Sequence, residues 1–145
     1  MSGVLLDTHV LYWLYTGTSP LPAEALTLVA QAQRAETLMV STISGWELAT
    51  AGHKPAHKNP PDFGGLTAAQ WLRIALVSTG AKLATISPSV AFEAADVAAT
   101  TGHGDPGDCL IMATARVRKA TLLSRDHRVR DIAATMPGYL KLMVC

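Results

Sequence analysis

Short apolar runs alternate with longer helical patterns along the whole chain, and this alternation restricts the fold more than any other feature. Most runs have the length and the Val and Leu content of strands that are buried on both faces. The pattern predicts an α/β fold of three layers, in which helices cover both faces of a central parallel sheet of about five short strands. The predicted strands are residues 3–6, 38–41, 82–86, 121–124 and 139–144, the last of them at an edge.

Length and composition predict one domain that spans residues 1–145. No apolar stretch reaches the roughly 18 residues of a membrane span. The N-terminus lacks the basic start of a signal peptide, and Asp7 and His9 interrupt its apolar stretch, so we expect a cytosolic protein without membrane association. The two cysteines do not suggest a disulfide framework. We expect Cys109 to be a small buried hydrophobe and Cys145 to be part of the tail.

Five of the eleven acidic residues lie where an apolar run meets a helical pattern. In a parallel sheet the carboxyl ends of the strands form the ligand crevice, so carboxylates that are scattered along the chain are expected to meet there. Several carboxylates in one place repel each other unless a cation holds them together. Ligand sets made only of oxygen favour Mg²⁺ or Mn²⁺. The five residues are Asp7, Glu47, Asp105, Asp108 and Asp126.

The same acidic residues have a simpler interpretation as helix caps. Aspartate is a preferred N-cap, and Ser44-x-x-Glu47 fits a capping box, as Asp105 does in its acidic form. Taken singly, each acid is better explained as a cap. Taken together, they put several charges in one crevice, which Ser, Thr or Asn caps would avoid. Trp46 and the apolar face of helix 108–119 predict a dry floor, where uncompensated carboxylates are unfavourable. We therefore favour a shared metal site.

Four stretches of the sequence carry a family resemblance. LLDTHVLYWL, the S-x-x-S-x-W-E string around Glu47, and HGDPGDCLIMATA followed by TLLSRD resemble a PIN domain. More narrowly, they are similar to VapC-type toxins, the ribonucleases of bacterial toxin–antitoxin pairs. The resemblance spans nearly the whole chain, and its four landmarks occur in the expected order. It implies a PIN-like fold and a Mg²⁺-dependent endoribonuclease that hydrolyses RNA through metal-activated water. It also implies a cognate antitoxin and a homodimer.

The resemblance assigns roles to the acidic residues one by one. Asp7 matches the first family aspartate, and Glu47 matches the glutamate on the following helix. Asp108 matches the aspartate that opens the D-x-x-I-x-A-x-A helix, and Asp126 matches the acid after the next strand. These four are predicted to be catalytic. Together with Asp105, which belongs to the H-x-D-P-x-D variant of one branch, they are predicted to bind Mg²⁺ or Mn²⁺.

The substrate side of the site is predicted from charge and position. Six of the twelve Lys and Arg residues fall between positions 116 and 130, in the same part of the chain as the acidic cluster. A polyanion held over a metal site needs such a pairing of signs. Thr8, beside the first aspartate, offers a hydroxyl to a metal-bound water or a phosphate, or caps a helix. The arginines predicted to contact phosphates, or else to lie on a solvated helix face, are Arg116, Arg118, Arg125 and Arg128.

Several nearby residues have structural interpretations. His103 is expected to shape the turn before the H-x-D-P-x-D aspartates. Gly107 departs from the branch of the family that the chain resembles, because that branch usually carries a bulky aromatic there, and Cys109 stands where it often carries Arg. These departures concern substrate contacts or local packing rather than the metal site. The three tryptophans are expected in the core or at an interface rather than as base-stacking platforms; they are Trp13, Trp46 and Trp71.

Two other functions fit an acidic α/β domain. One is a Mg²⁺-dependent phosphohydrolase acting on small molecules; enzymes of the haloacid-dehalogenase type need an aspartate where this chain has His9. The other is a non-enzymatic signalling module of receiver type. Such a module needs paired acids after the first strand and an aspartate at the end of the third, where this chain has Ile86 and Ser87. The nuclease is the leading hypothesis.

Overall fold

The computed structural model describes residues 2–145 and contains one all-parallel sheet of five strands. The strands are β1 (Val4–Leu6), β2 (Leu38–Ser41), β3 (Lys82–Ala84), β4 (Thr121–Ser124) and β5 (Leu142–Val144). They lie in the order β3-β2-β1-β4-β5, so β3 and β5 form the edges. The predicted parallel sheet and the edge position of the last strand are confirmed.

Helices connect the strands in the predicted alternation. Among residues 2–145 these are α1 (Thr8–Thr16), α2 (Ala23–Ala35), α3 (Thr42–Gly52), α4 (Ala68–Thr79), α5 (Pro88–Thr101), α6 (Pro106–Arg118) and α7 (His127–Thr135), with a short 3₁₀ helix at Ala56–Lys58. Helix α4 begins with a capping box between Thr67 and Gln70. It ends at Gly80, whose φ of 72° is the left-handed conformation that glycine adopts without a steric penalty.

The start of α3 differs from the prediction. The Ser41 hydroxyl accepts the backbone N–H of Ile43 at 3.2 Å, so Ser41 is the N-cap and the helix begins at Thr42. The predicted capping box between Ser44 and Glu47 is therefore wrong, because Ser44 already lies inside the helix. The earlier start leaves the hydroxyl of Ser44 and the carboxylate of Glu47 available for contacts with other elements.

The two edge strands are shorter than predicted. Strand β3 ends at Ala84, which pairs with Ser41, because its partner strand turns into α3 at that point. Strand β5 begins at Leu142 rather than at residue 139, because Tyr139 still belongs to the turn after α7 and donates its N–H to the carbonyl of Met136. Strand β1 also begins one residue later than predicted, at Val4, whereas the carboxyl ends of β1, β2, β4 and β5 lie where they were predicted.

Alternating strand residues face two separate cores, which makes the fold three-layered as predicted. Val4 and Leu6 pack with α1, α2 and α4 on one face, whereas Leu5 packs with α5, α6 and α7 on the other. Each of these strand side chains is almost completely buried, and burial of such a side chain contributes about 1.5–3 kcal/mol. Among residues 2–145, no helix combines the length and apolar character needed to cross a bilayer.

The carboxyl ends of the three inner strands are aligned, and four helices begin at the same edge of the sheet. Leu6 of β1 lies opposite Val40 of β2 and Leu123 of β4. The chain then leaves these strands into α1, α3 and α7, and α6 starts beside them. Helix N-termini carry partial positive charge, so this edge attracts acidic side chains and anions.

Candidate metal centre

All five predicted acidic residues line one cleft of about 420 Å³ at this edge of the sheet. The cleft lies between α1, α3 and the first turns of α6 and α7. Its acidic members come from five different positions in the chain: Asp7, Glu47, Asp105, Asp108 and Asp126. The fold therefore brings together carboxylates from both halves of the sequence.

Three of these carboxylates form the closest group, which we call the carboxylate trio: Glu47, Asp105 and Asp108. Each offers one oxygen, and these oxygens all lie within 4.8 Å of one another. Asp7 is not part of the trio. Its Oδ1 accepts the backbone N–H of Thr8 at 2.8 Å, and its Oδ2 accepts the hydroxyl of Ser124 at 2.7 Å. All five acids were predicted to bind the metal; the structure groups Asp105 with Glu47 and Asp108, and Asp7 lines the same cleft outside this group.

Asp105 is both a helix cap and a member of the trio. Its Oδ1 accepts the backbone N–H of Asp108 at 3.1 Å, with Pro106 in the first helical position. The next residue is Gly107, where an added Cβ would lie 2.7 Å from Oε2 of Glu47. The absence of a side chain at Gly107 is what lets the Glu47 carboxylate reach the first turn of α6.

A chain of buried hydroxyls holds the Glu47 carboxylate. The Thr8 hydroxyl donates to Oε1 of Glu47 at 2.5 Å, and its own oxygen lies 2.7 Å from the hydroxyl oxygen of Ser44. Because the single hydroxyl proton of Thr8 goes to Glu47, Ser44 donates to Thr8. Both hydroxyl residues are buried. Thr8, predicted as a substrate or metal-water contact, therefore orients a trio member, and Ser44 has a role that sequence reasoning missed.

His103 holds the carboxylate of Asp108. Its Nε2 lies 2.8 Å from Oδ2 of Asp108, and the His103 side chain is only 8% exposed. Sequence reasoning assigned His103 to the turn before α6 and missed this contact. The H-x-D-P-x-D spacing could have indicated it, because it places the histidine and the last aspartate on either side of one helix start.

Burial and mutual repulsion make the site unfavourable for negative charge. Burial, together with the charges of neighbouring aspartates, raises the pKa of Glu47 to about 7. The hydrogen bond from Thr8 acts in the opposite direction and lowers this pKa. Burial likewise raises the pKa of Asp7 and Asp108. Burial also acts to raise the pKa of Asp126, but hydrogen bonds from the backbone and guanidinium of Arg128 outweigh it, and the pKa is lowered. A divalent cation would relieve the repulsion, so this oxygen-only donor set fits one.

Two basic side chains line the acidic cleft, Lys54 and Arg128. Arg128 Nη2 lies 3.4 Å from Oδ2 of Asp108 and 3.3 Å from Oδ2 of Asp126, and its side chain is 54% exposed. Arg125, also predicted to contact phosphate, is engaged elsewhere. Its guanidinium donates to the carbonyl of Cys145 at 2.6 Å and is also bonded to the segment before α2.

The structure does not bring Arg116 and Arg118 to the cleft. Helix α6 begins at the trio and runs away from it, so these residues lie roughly 12–15 Å further along the helix axis. Arg116 pairs with Glu93 at 2.6 Å and stacks on the ring of Tyr139. Arg118 approaches the sulfur of Met39 at 3.7 Å.

Aromatic and cysteine side chains differ in part from their predicted placement. Trp71 is buried in the core as expected, and the Trp13 ring lies under the Arg125 guanidinium. Trp46 is 63% exposed at the edge of the cleft, so it does not lie in the core, and its predicted contribution to a dry floor is wrong. The alternative position at an interface stays a prediction. Cys109 is buried as predicted. Cys145 is also buried, because its backbone is held by Arg125 and β4, and the prediction of a simple tail residue is wrong.

Comparison with known proteins gives consistent results. The PIN domain family matches residues 4–135. Ribonuclease VapC22 of Mycobacterium tuberculosis is 32% identical over 131 residues, which cover 90% of this chain and 92% of that protein. The structure of VapBC2 from Rickettsia felis bound to a promoter DNA fragment superposes with a TM-score of 0.66 at 16% identity, covering 98% of both chains. DNA-bound VapBC from Salmonella typhimurium gives 0.64 at 14% identity, covering 99% and 98%. The last two likenesses concern the fold.

Proposed function

Because this chain belongs to the PIN domain family, we propose that it is a metal-dependent endoribonuclease and the toxin of a toxin–antitoxin pair. The observation that carries the proposal is the carboxylate trio at the carboxyl edge of a parallel sheet. A relative named as a ribonuclease, whose length the chain covers almost completely, supports the same activity. Membership of this family favours a nuclease over a small-molecule phosphohydrolase or a receiver module.

We propose Mg²⁺, or Mn²⁺ in its place, as the metal. Glu47, Asp105 and Asp108 would hold it, with Asp7 and Asp126 beside them in the same cleft. When bound, such an ion lowers the pKa of water and offsets the charge of a phosphate oxygen. All-oxygen donors and the raised pKa values of three carboxyl groups support a hard divalent cation.

The residues of the cleft supply orientation and charge. Thr8 fixes the Glu47 carboxylate, which we propose orients or deprotonates the attacking water. Arg128 is exposed and lies beside Asp108 and Asp126, so its guanidinium can turn toward an incoming phosphate. Attack in line with the 3′-oxygen breaks the P–O3′ bond, and that oxygen leaves as the hydroxyl. The products carry a 5′-phosphate and a 3′-hydroxyl, and the reaction does not require the ribose 2′-hydroxyl.

The proposed partners follow from the same likenesses. Two of the structurally similar proteins are VapBC assemblies, and another is a toxin–antitoxin complex from Klebsiella pneumoniae with a TM-score of 0.57. We therefore propose a cognate antitoxin that covers the cleft. A homodimer, a cytoplasmic location and action of residues 1–145 as one domain belong to the same proposal.

The test is cleavage of RNA by the purified protein. We expect cleavage with Mg²⁺ or Mn²⁺, none with EDTA, and loss of at least a hundredfold in rate for Asp108→Asn. Asp96→Asn is the matched control, because Asp96 is an exposed aspartate on α5 outside the cleft. End mapping should find 5′-phosphates. Undiminished cleavage in EDTA, or by Asp108→Asn, would contradict the proposal. Hydrolysis of a small phosphoester without RNA cleavage would favour the phosphohydrolase.

A further inference from the structure

Trp46 stands between the acidic cleft and a second, adjoining cleft. Both clefts are bordered by Trp46, Glu47 and Asp105. The rest of the second cleft is apolar or without side chains, and its lining consists of Ile43, Gly104, Pro106 and Gly107. The exposed indole therefore borders both clefts together with two carboxylates of the trio, and the rest of the second cleft offers it an apolar surface.

The indole of Trp46 is free of the contacts that hold most other aromatic rings of the protein. Tyr12, Tyr15 and Phe63 surround the buried Trp71, with ring centroids 5.4–5.6 Å from it. Within residues 2–145, Trp46 takes part in no such ring pair and lies under no guanidinium. Its 63% exposure thus leaves a large planar surface facing solvent at the border of the trio.

The chemistry around Trp46 fits a nucleobase better than a protein helix. A helix that docks through its apolar face needs a continuous apolar surface, whereas Trp46 borders a cleft that is lined by carboxylates and by the polar Thr50 and Lys54. A nucleotide has the complementary mixture, with a flat apolar base joined to an anionic phosphate. Base stacking on an aromatic ring is tolerant of sequence, because every base has a π face.

We propose that Trp46 is the floor of a base-binding subsite, on which single-stranded RNA stacks the base next to the phosphate to be cleaved. The phosphate of that nucleotide faces the trio, and the base enters the apolar cleft beside Gly107 and Pro106. This inference rests on the proposed ribonuclease function, and it adds a positioning residue outside the metal-binding acids. It also restricts the substrate at the site to unpaired nucleotides, since a base inside a duplex is stacked between its neighbours and cannot lie on a side chain.

The experiment measures binding and cleavage in parallel. Affinity is measured by fluorescence anisotropy with a labelled 2′-O-methyl phosphorothioate oligonucleotide in Mg²⁺, and the probe is checked for intactness after each titration. We expect Trp46→Ala to weaken binding about five- to a hundredfold, the range of one lost base stack. Trp46→Phe keeps an aromatic face and should stay within about threefold of the unmodified protein. Phe92→Ala is the control, because Phe92 is 74% exposed but lines neither cleft.

The possible outcomes separate this inference from the proposed function. If the unmodified protein binds and cleaves RNA but Trp46→Ala binds the probe equally well, the subsite is refuted and the ribonuclease stands. If Trp46→Ala instead changes only the mass of the protein in solution, Trp46 belongs to a protein interface, which also refutes the subsite. If the unmodified protein neither binds nor cleaves RNA, both proposals fall. Circular dichroism of each variant excludes loss of folding, which an exposed side chain is not expected to cause.

Discussion

Replacing Glu47 by glutamine should stabilise the metal-free protein. Burial raises the pKa of Glu47 from 4.5 to about 7, so in this range the folded state holds a proton that the unfolded state releases. Stability is therefore expected to fall as the pH rises from about 4.5 to about 7, and to be lowest above that window. The full pKa shift of Glu47 corresponds to a loss of at most about 3.4 kcal/mol in the free energy of unfolding. Because the group is partly exposed, solvent screening reduces this loss to about 1–2 kcal/mol.

The assay is urea unfolding of both proteins in EDTA at pH 5 and pH 8. Glutamine has nearly the same shape, and its carbonyl still accepts the hydroxyl of Thr8. We expect Glu47→Gln to be about 1–2 kcal/mol more stable at pH 8 and nearly unchanged at pH 5. Saturating Mg²⁺ should make the unmodified protein the more stable of the two at pH 8, because it binds the ion more tightly than Glu47→Gln does and gains more stability from it. Glu24→Gln, an exposed glutamate on α2, is the control.

Two results would refute this reasoning. One is a stability of the metal-free protein that does not change between pH 5 and pH 8. The other is a Glu47→Gln variant that is less stable at pH 8. Either result would mean that burial does not disfavour the charged form of Glu47. The physical reason for a cation at the trio would then be lost.

Three further predictions concern His103 and Gly107 beside the trio and Arg125 away from it. His103→Ala should weaken Mg²⁺ binding about 10- to 100-fold by calorimetry, because Asp108 loses its orienting partner, and His103→Gln, whose amide reaches the position of Nε2, should restore part of it; equal affinities would contradict this role. Gly107→Ala should weaken Mg²⁺ binding by displacing the Glu47 carboxylate, without lowering the melting temperature. An unchanged affinity would show that this carboxylate can move away from the added methyl group and still bind the ion. Arg125→Ala should lower the free energy of unfolding by about 1–3 kcal/mol and leave Mg²⁺ affinity intact; an altered affinity would argue against a purely structural role.

The architecture and the meeting of the acidic residues were predictable because both depend on the order of elements. A buried apolar run followed by a helical pattern fixes a strand–helix unit, and parallel strands place all their carboxyl ends at one edge. Asp7 follows such a strand directly and Asp126 follows one after a single residue, so their position could be inferred without any knowledge of side-chain contacts.

Finer geometry was not predictable, because it depends on contacts between elements. The basic residues lie in one stretch of the sequence, but α6 carries Arg116 away from the site whereas Arg128 lies in the first turn of α7 beside it. The exposure of Trp46 depends on which face of α3 packs against the neighbouring elements, and α3 begins at Thr42, earlier than the predicted Ser44 cap. The pairing of His103 with Asp108 crosses a helix start and leaves no periodic signal.

Three acidic residues of the cleft are also the N-caps of α1, α6 and α7, namely Asp7, Asp105 and Asp126. Alanine scanning would therefore confuse two effects, since each substitution removes a helix cap worth about 1 kcal/mol together with a carboxylate. Asparagine keeps the cap and removes only the charge. The double role of these residues as caps and as carboxylates of the cleft also limits which substitutions evolution would accept. A descendant that no longer cleaves anything would still be selected to keep Asn, Ser or Asp at these positions. Retained polar residues there would then record the fold and not the activity.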